Sequence, residues 1–170
     1  MKLNNKPFGI TTVTSIAVRA FPNHKSELQS QLLFGESFKV LKNEEKWILI
    51  CILPYNLEGW IPNHSFLPVD APGLQAGDQD CYVNLQMVSV SRLDHVKHNL
   101  TILPGSSLPC RPEIGRVFTL GNLGFRFESP IPEEANIKDK NSIEALALIF
   151  IHAPYLWGGR GLFGIDNVNL

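Results

Sequence analysis

The residues with the clearest chemical character lie near the C-terminus, in the run Tyr-Leu-Trp-Gly-Gly-Arg-Gly-Leu-Phe-Gly-Ile-Asp (155–166). The run combines a phenol hydroxyl, an indole, a guanidinium and a carboxylate around a glycine pair that permits a tight turn. Such a segment is typical of the approach to an active site. The question is therefore whether this chain is an enzyme that has lost its chemistry or a binding protein that never had any.

The cysteines and histidines show no spacing typical of a disulfide framework or a metal site. The cysteines are odd in number and lack Cys-x-x-Cys spacing, which favours reduced, mostly buried thiols over disulfides or a zinc site. Cys51 alternates with Trp47 and Leu49, which predicts a buried structural role. His95 and His98 are three residues apart but have no third ligand nearby, so no metal site is predicted. No Gly-x-Ser-x-Gly elbow, P-loop or dinucleotide fingerprint occurs, so no cofactor is predicted. The cysteines are Cys51, Cys81 and Cys110, and the histidines are His24, His64, His95, His98 and His152.

The composition excludes several classes of partner. The 170 residues are 44% hydrophobic and 18% charged, with a formal net charge of −1, which is typical of a globular chain. Because no Lys/Arg block occurs, a nucleic-acid or anionic-membrane partner has no electrostatic support. No window approaches the about 18 apolar residues of a membrane helix. With no targeting segment visible, we expect a cytoplasmic protein.

The first part of the chain reads as short strands separated by turns. Residues 12–20 alternate with period two, and residues 31–54 read as three strands joined by a Gly-Glu turn and a polar turn. Trp60 follows a turn at Gly59, and the prolines of the next stretch limit it to an edge strand or a helical turn. About five short strands in a unit this small predict a small barrel, with Trp47 and Trp60 filling or flanking it. The expected inward positions are Phe38, Val40, Trp47, Leu49 and Cys51.

A linker and a second, less regular β unit follow. Residues 70–79 contain proline, glycine and aspartate, and 80–129 again read as strands and turns. Pro104-Gly105 predicts a turn. Residues 121–124 predict a hairpin connection, with Phe118, Leu120, Phe125 and Phe127 alternating around it.

The pattern then changes to a helix over about 141–152. Asn141 or Ser142 can cap it, and Pro154 ends it. Its apolar face, with Leu146, Ile149 and Phe150, is expected to pack on one of the barrels or on a second copy of the chain. The predicted fold class is mainly β: two SH3-like small barrels followed by one C-terminal α-helix.

Together these segments resemble one family. Residues 15–61, from Ser-Ile-Ala-Val-Arg-Ala through Leu-Leu-Phe-Gly-Glu to Glu-Gly-Trp-Ile, resemble a bacterial SH3 (SH3b) domain, and 153–166 resemble the nucleophile approach of NlpC/P60 cysteine peptidases. Members with tandem SH3b domains are similar to γ-D-glutamyl-L-diamino acid endopeptidases of the dipeptidyl-peptidase VI type, hydrolases that cleave peptidoglycan stem peptides during cell-wall recycling. The resemblance implies that the helix is a remnant of an α+β papain-like domain. It also implies four parts: SH3b domain 1 (8–69), the linker, SH3b-like domain 2 (80–129), and an N-terminal fragment of the peptidase domain (130–170).

The chain departs from the family at the nucleophile. The family pattern continues Asp-Cys-Ser-Gly, whereas Asp166 is followed here by Asn167. An amide cannot form a thioester, and the family histidine lies on strands further downstream. We therefore expect a truncated or frame-shifted product, cut just before the nucleophile and inactive as a cysteine peptidase.

The resemblance also implies a ligand and residues to bind it. The family receives the free amino terminus of L-Ala-γ-D-Glu-diamino acid on an acidic residue and a tyrosine of the first SH3b domain, since a carboxylate pairs with an ammonium group. Glu27 and Tyr55 match best; Glu36 is a rival, but its Gly-Glu turn predicts a solvated charge. Glu27 can equally be an ordinary surface glutamate, and Tyr55 a half-buried tyrosine at the rim of the unit.

The alternative function is a protein interaction module that uses the barrels and the exposed helix, with homo-oligomers formed through that helix. The substrate-binding candidates are Glu27, Tyr55, Trp60, Tyr155 (on the oxyanion side), Trp157 and Asp166.

Overall fold

A computed structural model describes residues 6–53, 55–71, 81–83, 86–94, 98–109, 116–130, 144 and 147–167. Over these residues the architecture is mostly antiparallel β with one short helix, which confirms the predicted mainly-β class. No helix among them is long and apolar enough to span a membrane.

The first sheet is seven-stranded, with the order β3-β2-β6-β5-β4-β1-β7. Its neighbouring strands are all antiparallel. The first strand was not anticipated from the sequence, and the last is an edge strand, as its prolines predict. The strands are β1 (Phe8–Thr11), β2 (Ser15–Arg19), β3 (Leu28–Leu33), β4 (Ser37–Asn43), β5 (Trp47–Ile52), β6 (Leu57–Pro62) and β7 (Phe66–Val69).

The inward face of β5 is the opposite of the one predicted. Ile48, Ile50 and Ile52 are buried in the core, whereas Trp47, Leu49 and Cys51 are half-buried on the other face. Every residue of this strand is apolar, so period-two alternation alone cannot select the face. The β-branched isoleucines pack in the interior, where their stiff side chains fit a pleated surface. Trp47 and Trp60 flank the unit rather than fill it.

The second unit contains a four-stranded sheet of order β10-β9-β13-β12 and a two-stranded pair, β11-β8. The predicted hairpin is confirmed: Leu120 pairs with Leu123 across a turn at Gly121 and Asn122. Gly121 takes φ of +56°, which favours glycine. The predicted turn at Pro104-Gly105 is present too. The strands are β8 (Cys81–Val83), β9 (Val88–Arg92), β10 (Asn99–Ile102), β11 (Ser107–Pro109), β12 (Val117–Leu120) and β13 (Leu123–Phe127).

One apolar core joins the two units. Phe34 of the first unit packs edge-on against Phe125 and Phe118 of the second, with ring centroids 5.3 and 6.2 Å apart. Ile10 and Val69 belong to the same buried cluster. The backbone N–H of Ser107 donates to the carbonyl of Phe34 at 2.9 Å.

The C-terminal part contains the helix and a small hairpin. Residues 144 and 147–149 are helical and 150–152 form turns, while Asn141, Ser142 and Leu146 lie outside the described residues. Of the predicted apolar face, Ile149 is exposed and Phe150 is half-buried; Leu148 and Ile151 are exposed as well. The hairpin strands are β14 (Arg160–Gly161) and β15 (Gly164–Ile165).

Candidate functional site

The chemically distinctive run folds back on itself as a compact unit, which we call the C-terminal hairpin (residues 154–167). The Ile165 N–H donates to the Pro154 carbonyl at 3.0 Å, and the Leu156 N–H donates to the Ile165 carbonyl at 3.1 Å. The Asp166 carboxylate accepts a 2.9 Å hydrogen bond from the N–H of Gly158. The Asp166 N–H in turn donates to the carbonyl of Gly159 at 3.0 Å. The buried Asp166 therefore holds the Trp-Gly-Gly turn closed.

Gly158 brings this turn against the backbone of the first sheet. Its φ is +70°, and a Cβ at this position would lie 2.5 Å from the Leu28 carbonyl oxygen. Leu28 begins β3, which is an edge strand of the sheet. Only glycine fits both this backbone conformation and this close approach.

Arg160 fastens the hairpin to the same edge of the sheet. Its Nη1 donates to the Gln31 carbonyl at 2.7 Å and to Glu36 Oε2 at 2.9 Å, while Nη2 donates to Glu36 Oε1 at 2.8 Å. The Arg160 backbone N–H donates to the Gln31 side-chain oxygen at 2.8 Å. The result is a two-pronged guanidinium–carboxylate pair with two further bonds to β3.

The prediction that Glu36 is a solvated charge is wrong. Its side chain is 9% exposed and that of Arg160 is 10% exposed. Glu36 follows Gly35, whose φ of +78° turns the chain so that Oε2 accepts the Leu33 N–H at 2.8 Å. This turn aims the carboxylate back over β3, where it meets Arg160.

The surroundings of Arg160 favour the protonated, positively charged form of its guanidinium. Burial alone lowers the pKa of its guanidinium, but the hydrogen bonds and charge attraction of Glu36, with a smaller contribution from Tyr55, raise that pKa above its ordinary value. The guanidinium carbon lies 5.3 Å from the centre of the Tyr55 ring, in a cation–π arrangement. Tyr55 is thereby joined to the hairpin.

Three of the predicted ligand residues are exposed around this junction. Tyr55, Tyr155 and Trp157 expose 62%, 68% and 56% of their surface. Glu27 is exposed as well, and it directly precedes Leu28, whose carbonyl packs against Gly158.

The other predicted site residues are placed differently. Asp166 is buried, and its carboxylate serves the turn described above. Trp60 lies on β6, where Lys42 Nζ sits 5.8 Å from its ring centre. Asn167 is exposed, immediately after Asp166. Arg160, Glu36 and Gln31 were not predicted as a set, because Arg160 is 124 residues from Glu36 and 129 from Gln31 and no local pattern links them.

No group of three or more His, Cys, Asp or Glu side chains in the described part of the chain could hold a metal ion. Cys51 is a free, half-buried thiol on β5, with Lys39 and Glu58 as its cross-strand neighbours.

Comparisons with known proteins agree with parts of this reading. Residues 18–66 match the sequence profile described as the bacterial dipeptidyl-peptidase Sh3 domain. The fold is similar to the crystal structure of an NlpC/P60 family protein from Bacillus cereus ATCC 10987, with a TM-score of 0.67 and 14% sequence identity. The similarity covers 94% of this chain and 68% of the other. No curated protein matches the sequence. The predicted likeness to a bacterial SH3 domain is thus confirmed for residues 18–66, and the NlpC/P60 likeness is one of fold.

Proposed function

We propose that this chain is a relative of cell-wall peptidases that recognises murein stem peptides of the type L-Ala-γ-D-Glu-diamino acid and does not cleave them. The observation that carries the proposal is the docking of the C-terminal hairpin on the SH3 unit. This docking holds exposed aromatic side chains on and beside the hairpin, and the exposed Glu27 directly precedes Leu28, whose carbonyl packs against Gly158 of the hairpin. The matching Sh3 profile and the NlpC/P60 fold support the choice of ligand class.

The chemistry of recognition follows from the groups that remain accessible. A free α-amino group needs an unpaired carboxylate. Glu36 is already paired with Arg160, so Glu27 is the carboxylate that we assign to the ammonium of L-Ala. The hydroxyls of Tyr55 and Tyr155 can hydrogen-bond peptide amides, and the Trp157 ring offers an apolar face for the aliphatic parts of the peptide.

The absence of cleavage follows from Asn167. This residue occupies the position of the nucleophilic cysteine in the resembled pattern, and an amide side chain cannot attack a carbonyl as a thiolate does. Within the described residues, the free thiol of Cys51 lies on β5, between strand neighbours that are not histidines.

Calorimetric titration of the purified chain with the tripeptide tests the proposal, together with the variants Glu27→Gln and Glu45→Gln. Glu45 is exposed in the turn at the far end of β5 from Tyr55, so its variant controls for loss of surface charge. A charge-assisted hydrogen bond contributes about 1.5–3 kcal/mol, so Glu27→Gln should weaken binding about 10- to 140-fold. Glu45→Gln should bind as the wild type does. Equal affinity of all three proteins would reject the role of Glu27, and no binding at millimolar peptide would reject the proposed function.

A second candidate function is a protein interaction module, favoured by the exposed Leu148 in the short helix and the exposed Ile151 in the turn that follows it. Sedimentation analysis distinguishes it from the first. A self-associating chain that becomes monomeric on changing both residues to serine would support it, whereas a monomeric wild type would count against homo-oligomers through this helix.

A further inference from the structure

Glu36 and Arg160 bring together parts of the chain that are 124 residues apart. Both carboxylate oxygens of Glu36 and both terminal nitrogens of Arg160 are engaged in the pair. Each partner also bonds the backbone of β3, through the Leu33 N–H and the Gln31 carbonyl. The two side chains therefore fix both the orientation of the C-terminal hairpin on the first sheet and its distance from β3.

The hairpin needs such a tie to keep its place. β14 and β15 are two residues each, and a short two-stranded hairpin is marginally stable in water by itself. The side chains of the pair are nine-tenths buried, so removing either partner leaves an uncompensated charge in a poorly solvated site. Planar guanidinium and carboxylate groups meet in one orientation, so the pair selects a single docked arrangement.

We propose that Glu36 and Arg160 are a positioning pair: they lock the C-terminal hairpin onto the edge of the first sheet and thereby set Tyr155 and Trp157 relative to Tyr55. In this arrangement Glu36 recognises Arg160 and does not contact ligand. The consequence for peptide binding rests on the proposed function, whereas the docking itself does not.

Amide hydrogen exchange of the full chain, measured by NMR, tests the docking. The variants are Arg160→Met, Arg160→Lys and Glu36→Gln, with Arg126→Met as a control at an exposed arginine of the second sheet. The probes are the hairpin amides of Gly158 and Arg160, and the Ile50 amide on the central strand β5 reports global stability.

We expect the hairpin amides of Arg160→Met and Glu36→Gln to exchange at least about 30-fold faster, while the Ile50 amide changes by less than about threefold. Arg160→Lys keeps the positive charge but lacks the two terminal nitrogens that bond both carboxylate oxygens of Glu36. Its hairpin amides should therefore exchange at rates between those of the wild type and Arg160→Met. Arg126→Met should match the wild type. Unchanged hairpin rates, or the same acceleration at Ile50 as in the hairpin, would overturn the positioning role.

Peptide titration of the same variants tests the consequence for the ligand. Glu36→Gln and Arg160→Met should lose affinity together with hairpin protection, whereas Glu27→Gln should lose affinity with hairpin protection intact. An undocked variant that binds like the wild type would overturn the consequence for binding. If the wild type itself does not bind the peptide, the proposed function fails, and the exchange rates still decide whether the pair positions the hairpin.

Discussion

Replacing Gly158 by alanine is expected to release the C-terminal hairpin from the sheet. The new Cβ would lie 2.5 Å from the Leu28 oxygen, 2.9 Å from the Leu28 carbonyl carbon and 3.0 Å from the Gln29 carbonyl carbon. All three are backbone atoms of the edge strand β3 and cannot rotate away as a side chain can. The hairpin must therefore move outward to admit the methyl group.

The cost can be estimated from two sources. A residue other than glycine in the left-handed region costs about 1–2 kcal/mol. Carbon–carbon contacts are most favourable at about 3.5–4.0 Å, so relieving the contact needs a shift of about 1 Å, enough to stretch the Arg160 bonds to Gln31. We expect Gly158→Ala to lower the free energy of opening the hairpin by about 2–3 kcal/mol in total, which is equivalent to about 30- to 140-fold faster exchange of the Arg160 amide.

Gly161→Ala is the matched control on the same hairpin. Its Cβ would meet only the end of the Leu103 side chain, at 3.0 Å, and its φ lies outside the left-handed region. We expect less than about a fivefold change in exchange, in line with a cost below about 1 kcal/mol. If Gly158→Ala keeps wild-type exchange in the hairpin, or if both variants behave alike, the argument for close backbone docking is refuted.

Three further predictions concern the core, the turn and pH. Phe125→Ala should lower the free energy of unfolding by about 3–5 kcal/mol, and both units should unfold in one denaturant transition. The control Phe21→Ala, at an exposed phenylalanine, should change the free energy of unfolding by less than about 0.5 kcal/mol. Two separate transitions in the wild type would contradict the shared core. Asp166→Ala leaves the Gly158 N–H without its carboxylate partner and should destabilise the hairpin by about 1–3 kcal/mol in exchange measurements, while the exposed Asp70→Ala should have no effect there. Because the pKa of Arg160 is raised, its contribution is complete below the ordinary arginine value and is lost only when pH rises through the still higher folded value. The opening free energy of the hairpin should therefore be equal at pH 7 and pH 9, and a marked loss at pH 9 would show that another group controls docking.

Parts of the fold follow from local sequence chemistry alone. The turn between Leu120 and Leu123 needs a residue that tolerates positive φ. Gly121 between alternating apolar residues predicts this turn from the sequence. The strand β5 could be located but not oriented, because all of its residues are apolar. Its inward face is decided by packing against the neighbouring strands, which the sequence of one strand does not contain.

The candidate site, too, could be predicted from the sequence only in part. The run from Tyr155 to Asp166 could be singled out by its residue types, and the exposure of Tyr155 and Trp157 agrees with a role at a surface. The partner of Arg160 could not be found, since Glu36 meets it only after the chain has returned across the sheet. Glu36 resembles an ordinary turn glutamate in the sequence, and burial by a distant segment changes its role.

The most direct test of the proposed function is to titrate the wild-type chain with L-Ala-γ-D-Glu-diamino acid tripeptide and with the same peptide acetylated on its α-amino group, followed by product analysis. We predict saturable binding of the free peptide, much weaker binding of the acetylated peptide, and recovery of both peptides intact. Equal binding of the two peptides would contradict recognition through a carboxylate–ammonium pair. Cleavage of either peptide would contradict the assignment of Asn167 to the nucleophile position.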